Sequence, residues 1–477
     1  MSSQLTLLQQ AQAARDQGAW QRALDLFTQA QALRPEEGAI AHNLALCHLA
    51  LGQYEQAIHA GRHALAALPH RWQTQIVLAK AHQGLGAIEQ ADAAYQAVLQ
   101  NHPQQASALT GRADLAMNYF GEARLAHELV KPLLADPEEA MDAKLTQLMS
   151  RLYDRAPTDS GEKIAHDAIA FAQAHLQLPQ NAAASPLLTK KIPKRPRVGL
   201  LSNQFCVSPV YFLTIAGWQH VAKGCEVVVF NRGHTRDWAT EAFTQLASEV
   251  IDVQHLNAEQ LAAQIRGARI DVLYDLGGWM DPIGLQALSV QPATVQYKWV
   301  GGQSLTTGLD CFAGWIGDAH QSPLTVQSFY RERLINVAPA YATYTPPSYL
   351  PKPSPSKSKT PCVFSNPAKL SQAFLQYLQT LPGKKVLIHK HYRFARTRAR
   401  IEAALGSHAV EFICPNSHAE ALMALNQHAT MLDTFPYSSG LTAYEALALG
   451  TTITCAPQAY AGVLFAERHT ARFWQQS

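Results

Sequence analysis

A repeat of fixed length restricts what the first third of this chain can fold into. Three columns of residues recur at a spacing of 34 positions. The columns are Gly18, Gly52 and Gly86; Ala23, Ala57 and Ala91; and Pro35, Pro69 and Pro103. A period of this length, with small residues and a breaker in every unit, is typical of stacked helical hairpins rather than of a single globular core.

The period and residue types match the tetratricopeptide repeat, a helix-turn-helix unit. Alanines allow paired helices to approach, glycine turns the chain between them, and proline separates one unit from the next. The pattern predicts a repeat region over 4–139, with three clear units and a degenerate or capping unit at 106–139 that keeps Pro137. Residues 140–191 are expected to form a helical linker.

After a stretch rich in proline and lysine (178–197), the pattern changes to short apolar runs alternating with helical segments. This alternation predicts parallel sheets of the doubly wound type. The proline-rich run TPPSYLPKPSPSKSKTP (345–361) divides the region into two Rossmann-like lobes, 195–345 and 361–477. Two such lobes place the expected ligand cleft between the carboxyl ends of their strands.

The stretch MLDTFPYSSGLTAYEALALGT (431–451) predicts a buried strand, a polar turn and a helix. The small residues of this turn and helix start are Ser438, Ser439, Gly440 and Thr442. A helix N-terminus with free N–H groups and small hydroxyl residues can bind phosphate, and glycine lets the backbone approach. Alternatively, Thr442 and Glu445 have the spacing of a capping box and only stabilise the helix.

A second strand end leading into a helix start, FSNPAKLS (364–371), carries Asn366 and Lys369. A lysine at this place can neutralise a departing diphosphate as a point charge. The alternative is an ordinary surface lysine.

Composition narrows the class of protein. Hydrophobic residues make up 47% and charged residues 16% of the chain, as in ordinary globular proteins. The seven scattered cysteines are expected to be reduced, buried thiols that form no metal site. The sequence shows neither a signal sequence nor a long apolar run, so we expect a cytoplasmic protein with no membrane contact. The net charge of +3 does not indicate nucleic-acid binding.

One basic run, KKVLIHKHYRFARTRAR (384–400), leaves two interpretations open. It is either a buried strand followed by a helix with a solvated basic face, or a cationic rim beside a phosphate-bearing ligand. Nucleic-acid binding through this run is a weaker third possibility.

Residues 197–467 resemble the catalytic region of the O-linked N-acetylglucosamine transferases of proteins, including the bacterial and SPINDLY-like members, and the repeats ahead of it match the family's domain order. The segments that carry the resemblance are RVGLLSNQF, IDVLYDLGGW, QPATVQYKWVGG, YRERLINVAPAYATYTPP, FSNPAKLS and LDTFPYSSGLTAYEALALGT. The resemblance implies a GT-B fold of two Rossmann-like lobes. It also implies an inverting enzyme that uses a UDP-sugar donor and no metal ion or other cofactor.

The resemblance assigns roles to single residues. Lys369 matches the family's diphosphate lysine, and Asn366 the amide beside it. Thr442 matches a hydroxyl of the phosphate loop, and Glu445 the acidic residue on the ribose side. Without a divalent cation, a lysine and helix N-termini must meet the charge that develops on the leaving diphosphate.

The chain also departs from the family pattern. Ser208 stands where the family has a histidine in its first catalytic loop, and Trp279 where bacterial relatives often carry another. Gly440 and Leu441 interrupt a threonine-rich stretch, and the segment after TTITCAP lacks the expected His and Ser-Arg pattern. No general base can be assigned, and Asp275 is the candidate for a polar contact on the acceptor side, unless it only caps the loop DLGG.

The expected partner is a protein or peptide acceptor, held by the repeat array and the cleft. In relatives an asparagine ladder on the inner wall of the repeats faces the acceptor backbone. The equivalent positions here are Gln9, Asn43, Val77 and Gly111. The departures leave a second hypothesis, a non-catalytic adaptor in which the repeats bind proteins and the transferase region has degenerated.

Overall fold

The computed structural model describes residues 2–179, 192–456 and 462–473. The chain divides into two compact units, Met1–Gln147 and Leu148–Ser477. The helical repeats form the first unit, and the two predicted lobes lie in the second. The division falls inside a helix, Ala140–Tyr153, rather than at the expected boundary near 139.

The first unit is built of consecutive packed helices, as the repeat predicts. They are α1 (Ser2–Asp16), α2 (Trp20–Leu33), α3 (Gly38–Ala50), α4 (Tyr54–Ala67), α5 (Trp72–Gly84), α6 (Ile88–Asn101), α7 (Ala106–Leu115), α8 (Ala123–Leu129) and α9 (Ala140–Tyr153). The three repeat glycines have φ values of 72°, 72° and 73°, which favour glycine at the turn between paired helices. The three repeat alanines are fully buried where the helices meet.

The fourth repeat keeps its turn, displaced by one position. A π-helical turn, Ala116–Phe120, extends α7, and Gly121 then adopts a φ of 72°. Because a π-helical turn accommodates an extra residue, the glycine falls at 121 rather than at 120. A short 3₁₀ turn, Lys131–Ala135, follows α8. The fourth unit is thus a modified repeat, which the loss of the glycine column had suggested.

The second unit begins with the end of α9 and with α10 (Gly161–His175), which Ser160 caps by accepting a hydrogen bond from the Lys163 amide at 3.2 Å. The first lobe holds seven parallel strands in the order β3-β2-β1-β4-β5-β6-β7. These are β1 (Arg197–Ser202), β2 (Glu226–Asn231), β3 (Glu249–Asp252), β4 (Val272–Asp275), β5 (Val295–Lys298), β6 (Gly314–Gly317) and β7 (Leu334–Asn336). Its helices are α11 (Pro209–Val221), α12 (Trp238–Leu246), α13 (Ala258–Gly267) and α14 (Pro282–Leu288).

The second lobe holds five parallel strands in the order β10-β9-β8-β11-β12. The strands are β8 (Cys362–Phe364), β9 (Lys385–Ile388), β10 (Val410–Ile413), β11 (Thr430–Leu432) and β12 (Thr452–Thr454). The helices are α15 (Gln372–Thr380), α16 (Ala395–Leu405), α17 (His418–Leu425), α18 (Leu441–Ala448) and α19 (Phe465–Arg468). Alternating strands and helices around parallel sheets confirm the predicted doubly wound architecture.

The topology places the two predicted site motifs beside each other. The chain order reverses between β8 and β11, which are neighbours in the second sheet. The stretch FSNPAKLS follows β8, and the stretch TFPYSSG follows β11. Ligands of open α/β sheets bind at such a switch point, outside the carboxyl ends of the strands.

Two segments connect the lobes. The proline-rich run 345–361 has only an isolated bridge, between Ser358 and His428, and Asn426 fixes it to the second lobe through hydrogen bonds to the backbone of Lys352 and Ser354. The segment 462–473, expected in the second lobe, contacts that lobe at Ser438 and Asp433 and also packs on the first lobe. Its Phe465 ring lies 5.5 Å from that of Trp315.

Two expectations from composition can be compared with the structure. All seven cysteines are free, three of them buried and four half-buried. None of the helices within the described ranges is both long and apolar enough to cross a membrane.

Candidate functional site

A cleft of about 540 Å³ lies between the two lobes of the second unit. The first lobe contributes to its wall mainly through residues after β1 and β5, and the second lobe through residues after β8, β9, β10 and β11. Of the predicted site residues, Asn366, Lys369, Gly440, Thr442 and Glu445 line this cleft. Ser438, Ser439 and Asp275 do not.

Lys369 is one of the residues that the second lobe contributes to the cleft wall. It ends a 3₁₀ turn, Pro367–Lys369, that directly follows β8. Its Nζ donates a hydrogen bond to the Ser438 carbonyl oxygen at 2.8 Å and lies 4.4 Å from the centre of the Tyr437 ring. This side chain therefore links the loops after β8 and β11.

The charge of Lys369 is weakly compensated by the protein. Burial lowers its pKa to about 8, and only Asp433 opposes the shift. Within the described ranges no carboxylate lies within ion-pairing distance of its ammonium group. A half-buried cation held by a carbonyl oxygen and an aromatic face is suited to receive an anionic ligand.

Asp433, a residue that the sequence analysis did not single out, shapes the loop after β11. Its side chain is fully buried and accepts a hydrogen bond from the Ser439 amide at 2.7 Å. The Thr470 hydroxyl donates to its other oxygen. Burial raises the pKa of Asp433, with these hydrogen bonds and Lys369 acting in the opposite direction. The motif LDTFPY carries this aspartate, so its position in the sequence could have suggested it.

The two serines of the loop are used within the protein. The Ser438 hydroxyl donates to the Ala466 carbonyl at 2.9 Å and accepts from the His469 amide at 2.9 Å. Both serines are almost completely buried. Gly440 does face the cleft, and apart from its chain neighbours no described residue has an atom within 4 Å of the place where a Cβ would be, so its backbone is open to a ligand.

The capping-box interpretation of Thr442 and Glu445 is wrong. Helix α18 begins at Leu441, Gly440 occupies the N-cap position, and no side chain caps the helix. Thr442 is thus the second residue of the helix, too late to be the cap. Its hydroxyl makes no hydrogen bond to any described residue and remains available in the cleft wall.

Glu445 is held by a chain of side chains from two other segments. Its carboxylate is buried and lies 2.7 Å from Nε2 of His418, at the start of α17. The Tyr349 hydroxyl, in the segment between the lobes, lies 2.9 Å from Nδ1 of the same histidine. With Nε2 protonated, His418 donates to Glu445 and accepts from Tyr349. His418 also lines the cleft.

Asn366 and part of the basic run support the turn that carries Lys369. The Asn366 side chain accepts a hydrogen bond from the Ala368 amide at 2.9 Å. Arg400 donates to the carbonyl oxygens of Leu370 and Pro367 at 3.1 and 3.3 Å. From the basic run, only His389 and Lys390 line the cleft. The run therefore divides between holding this turn and forming part of the cleft wall.

Asp275 holds the loop after β4. Its carboxylate accepts hydrogen bonds from the amides of Gly277 and Gly278, at 2.9 and 3.1 Å. It also pairs with the fully buried Lys298 at 3.5 Å. These are the contacts expected of the alternative role, in which Asp275 caps the loop DLGG.

The two residues that replace family histidines have structural contacts. Ser208 is buried and donates to the Gln204 carbonyl at 2.8 Å. The Trp279 indole donates to the Thr306 carbonyl at 2.9 Å. Besides His418, two histidines line the cleft, His389 and His469, and burial lowers the pKa of each to about 3. Sequence spacing had not pointed to either of them.

Of the four repeat positions expected to form an asparagine ladder, Gln9 is exposed, and the other three are used inside the first unit. The Asn43 side chain accepts from Arg15 at 2.6 Å and donates to the Ala39 carbonyl at 2.8 Å. Val77 is buried, and at Gly111 a Cβ would lie 2.3 Å from the Tyr95 ring. Asn43, Val77 and Gly111 therefore serve packing and hydrogen bonding within the first unit.

Comparison with known proteins agrees with this architecture. Family models described as tetratricopeptide repeat match residues 14–60 and 77–104. Two curated relatives, from Solanum lycopersicum and Arabidopsis thaliana, are each 26% identical over 285 residues and are named as probable UDP-N-acetylglucosamine–peptide N-acetylglucosaminyltransferase SPINDLY. The match covers 54% of this chain in both cases.

A solved structure is similar over the whole chain. It is a lysine-to-methionine mutant of the Thermobaculum terrenum O-GlcNAc transferase, 21% identical, with a TM-score of 0.68, and the match covers 100% of this chain and 87% of that one. The curated plant relatives are much longer, since the matched region makes up only 30% and 31% of them. The predicted fold is confirmed: the chain has the fold of the solved O-GlcNAc transferase, and it is similar in sequence to tetratricopeptide repeats and to the plant proteins named above.

Proposed function

We propose that this chain is a glycosyltransferase that transfers a sugar, N-acetylglucosamine or another hexose, from a UDP-linked donor to Ser or Thr of a protein. As in the family it resembles, the transfer inverts the sugar carbon and uses no metal ion. The observation that carries the proposal is the placement of Lys369, a poorly compensated cation in the cleft between two Rossmann-like lobes. The names of the relatives support the same chemistry.

The leaving diphosphate occupies the space in front of Lys369 and the start of α18. Lys369 supplies the positive charge, while the open backbone at Gly440 and the unused hydroxyl of Thr442 supply hydrogen bonds. The N-terminus of α18 adds the favourable end of its dipole. Because negative charge increases on the diphosphate as the sugar departs, these groups stabilise the transition state more than the bound donor.

The nucleoside lies towards Glu445. The carboxylate accepts hydrogen bonds from the ribose, and His418 and Tyr349 hold it in place. A buried carboxylate fixed in this way recognises a hydroxyl group at little further cost in side-chain entropy. Asn366 stabilises the turn that carries Lys369. Its side-chain amide nitrogen makes no hydrogen bond to any residue within the described ranges.

Calorimetric titration of the full chain with UDP, UDP-N-acetylglucosamine and UDP-glucose tests the proposal. We expect UDP and at least one UDP-sugar to bind, and Lys369→Met to weaken UDP about 10-fold or more, because a hydrogen-bonded charge is lost. Lys384→Met is the matched control. Lys384 is half exposed and pairs with Glu411 at the surface of the same lobe, so this variant should bind UDP normally.

Failure of UDP and both UDP-sugars to bind overturns the proposal and favours the adaptor hypothesis. Binding with equal affinity in both lysine variants would mean that the nucleotide lies elsewhere.

A further inference from the structure

His469 presents an unengaged imidazole to the same cleft. It follows α19, lines the cleft together with Lys369, and its ring centre lies 5.7 Å from that of Tyr437. Lys369 lies over that same tyrosine ring. The imidazole and the ammonium group are thus neighbours on one wall.

The backbone of His469 is fixed while its ring nitrogens are free. Its amide donates to the Ser438 hydroxyl at 2.9 Å, and its carbonyl accepts from Gln321 at 3.2 Å. The ring packs 5.0 Å from the ring of Phe465. No described residue hydrogen bonds with either ring nitrogen. The side chain is therefore positioned by packing and by its backbone, and its polar atoms remain available to a ligand.

The ring of His469 is neutral when the cleft is empty. Burial, reinforced by the positive charge of Lys369, lowers its pKa to about 3. A neutral imidazole carries one N–H donor and one acceptor nitrogen. Beside an ammonium group, a neutral donor can add a hydrogen bond to an anion without the repulsion that a second cation would bring.

From this geometry we infer that His469 donates a hydrogen bond from its neutral imidazole to the diphosphate of the donor substrate, next to Lys369. The inference rests on the proposed function, because it requires that a UDP-sugar occupies the cleft. It assigns a ligand-binding role to a residue in the segment where the chain departs from the family pattern. A group that touches only the diphosphate should affect ligands with phosphate and leave the bare nucleoside unaffected.

Binding of UDP and of uridine to the full chain tests this assignment. Calorimetry measures UDP, and ligand-detected NMR registers the weaker uridine. We expect His469→Ala to weaken UDP about 10-fold, as for a lost hydrogen bond to a charged group, and to leave uridine unchanged. His469→Gln keeps an N–H donor and should restore UDP binding to within about threefold. His408→Ala, at an exposed histidine in the same lobe, is the control and should bind both ligands normally.

Four results would overturn the inference. If His469→Ala binds UDP with an affinity within twofold of that of the unsubstituted chain, the inferred hydrogen bond to the diphosphate does not form. If His469→Ala weakens the binding of uridine and UDP equally, or if His469→Gln does not recover UDP binding, the loss of affinity is due to lost packing against Phe465. If UDP does not bind the unsubstituted chain, the proposed function falls and this inference falls with it, whereas the first three outcomes leave that function standing.

Discussion

The ammonium group of Lys369 lies 4.4 Å from the centre of the Tyr437 ring, and that ring also stacks on Tyr153 at 4.9 Å. The Tyr437 hydroxyl lies 3.0 Å from the Ser304 hydroxyl, so the same side chain reaches the first lobe. Tyr437 therefore joins the cation of the cleft to the end of α9 and to the opposite lobe. The two functions of this side chain, ring and hydroxyl, can be separated by substitution.

Replacing Tyr437 by leucine should weaken UDP binding, since the aromatic face that orients Lys369 is lost. A cation–π contact of this kind contributes about 0.5–2 kcal/mol, which corresponds to a loss of up to about 30-fold. Tyr437→Phe keeps the ring and loses only the contact with Ser304, so its UDP affinity should stay within about threefold. Calorimetry on both variants provides the measurement. Equal losses in the two would assign the effect to the hydroxyl instead.

Lys369→Met should stabilise the unliganded chain. Burial lowers the pKa of Lys369 from its ordinary value of 10.5 to about 8, so keeping the ammonium charged costs free energy in the folded state. Below pH 8 the lysine is charged in both states and the full cost applies, while above about pH 10.5 it is neutral in both. We expect the variant to gain about 1–2 kcal/mol at pH 7, after allowance for solvent at this half-buried group.

Unfolding by denaturant, followed through the transition of the second unit at pH 7 and pH 9.5, measures the difference in free energy of unfolding between the native chain and Lys369→Met. The advantage of the methionine variant should shrink at the higher pH, since the native lysine then loses its proton. A stability difference that does not change with pH, or a destabilised variant, would contradict the account of a desolvated cation. Lys384→Met, at the surface, should show little difference at either pH.

UDP affinity should fall as the pH rises through about 8. The phosphate groups are already ionised above pH 7, so the change reports the loss of the Lys369 proton. Bound diphosphate favours the ammonium form, so the decline begins near the pKa of the free chain and continues to somewhat higher pH. Titrations between pH 7 and 9.5 should show this decline in the native chain and a flat profile in Lys369→Met. A decline of the same size in both would point to another titrating group.

Asp433→Ala should loosen the loop that carries Tyr437 and Gly440. The substitution leaves the Ser439 amide and the Thr470 hydroxyl without their buried acceptor, at a cost of about 2 kcal/mol in the free energy of unfolding. Asp433→Asn keeps an oxygen acceptor and should lose less than half as much. Chemical denaturation measures both, with the exposed Asp310→Ala as the control. No loss in the alanine variant would contradict a loop held by this carboxylate.

Much of the fold could be predicted because its signals are local. The 34-residue period depends on glycines that turn the chain and on alanines between helices, and the structure confirms both roles. Apolar strands that end in polar loops predicted parallel sheets, and neighbouring strands then bring Lys369 and the loop after β11 together. Strand order itself was not needed for this prediction, because the carboxyl ends of parallel strands share one edge.

The rest depends on contacts between distant segments. The approach of 462–473 to the first lobe, which places His469 in the cleft, involves Ser304 and Gln321, more than a hundred residues away. The spacing of Thr442 and Glu445 suggested a capping box, but His418 engages Glu445 and the helix begins one residue before Thr442. Asn43 has the side-chain amide expected at a position of the asparagine ladder, but Arg15 donates a hydrogen bond to its oxygen. Spacing along the chain cannot show which partner a polar side chain will find.

Release of UDP from UDP-sugars by the full chain tests the central claim most directly. The measurement compares the native chain, Lys369→Met and Lys384→Met with UDP-N-acetylglucosamine and UDP-glucose, in the presence of candidate protein acceptors. We predict that the native chain and the Lys384 variant release UDP from at least one donor, and that Lys369→Met is slower by about 100-fold or more, as when a group that stabilises developing charge is removed. Equal rates in the native chain and Lys369→Met, or no UDP release from either donor, would contradict the proposal.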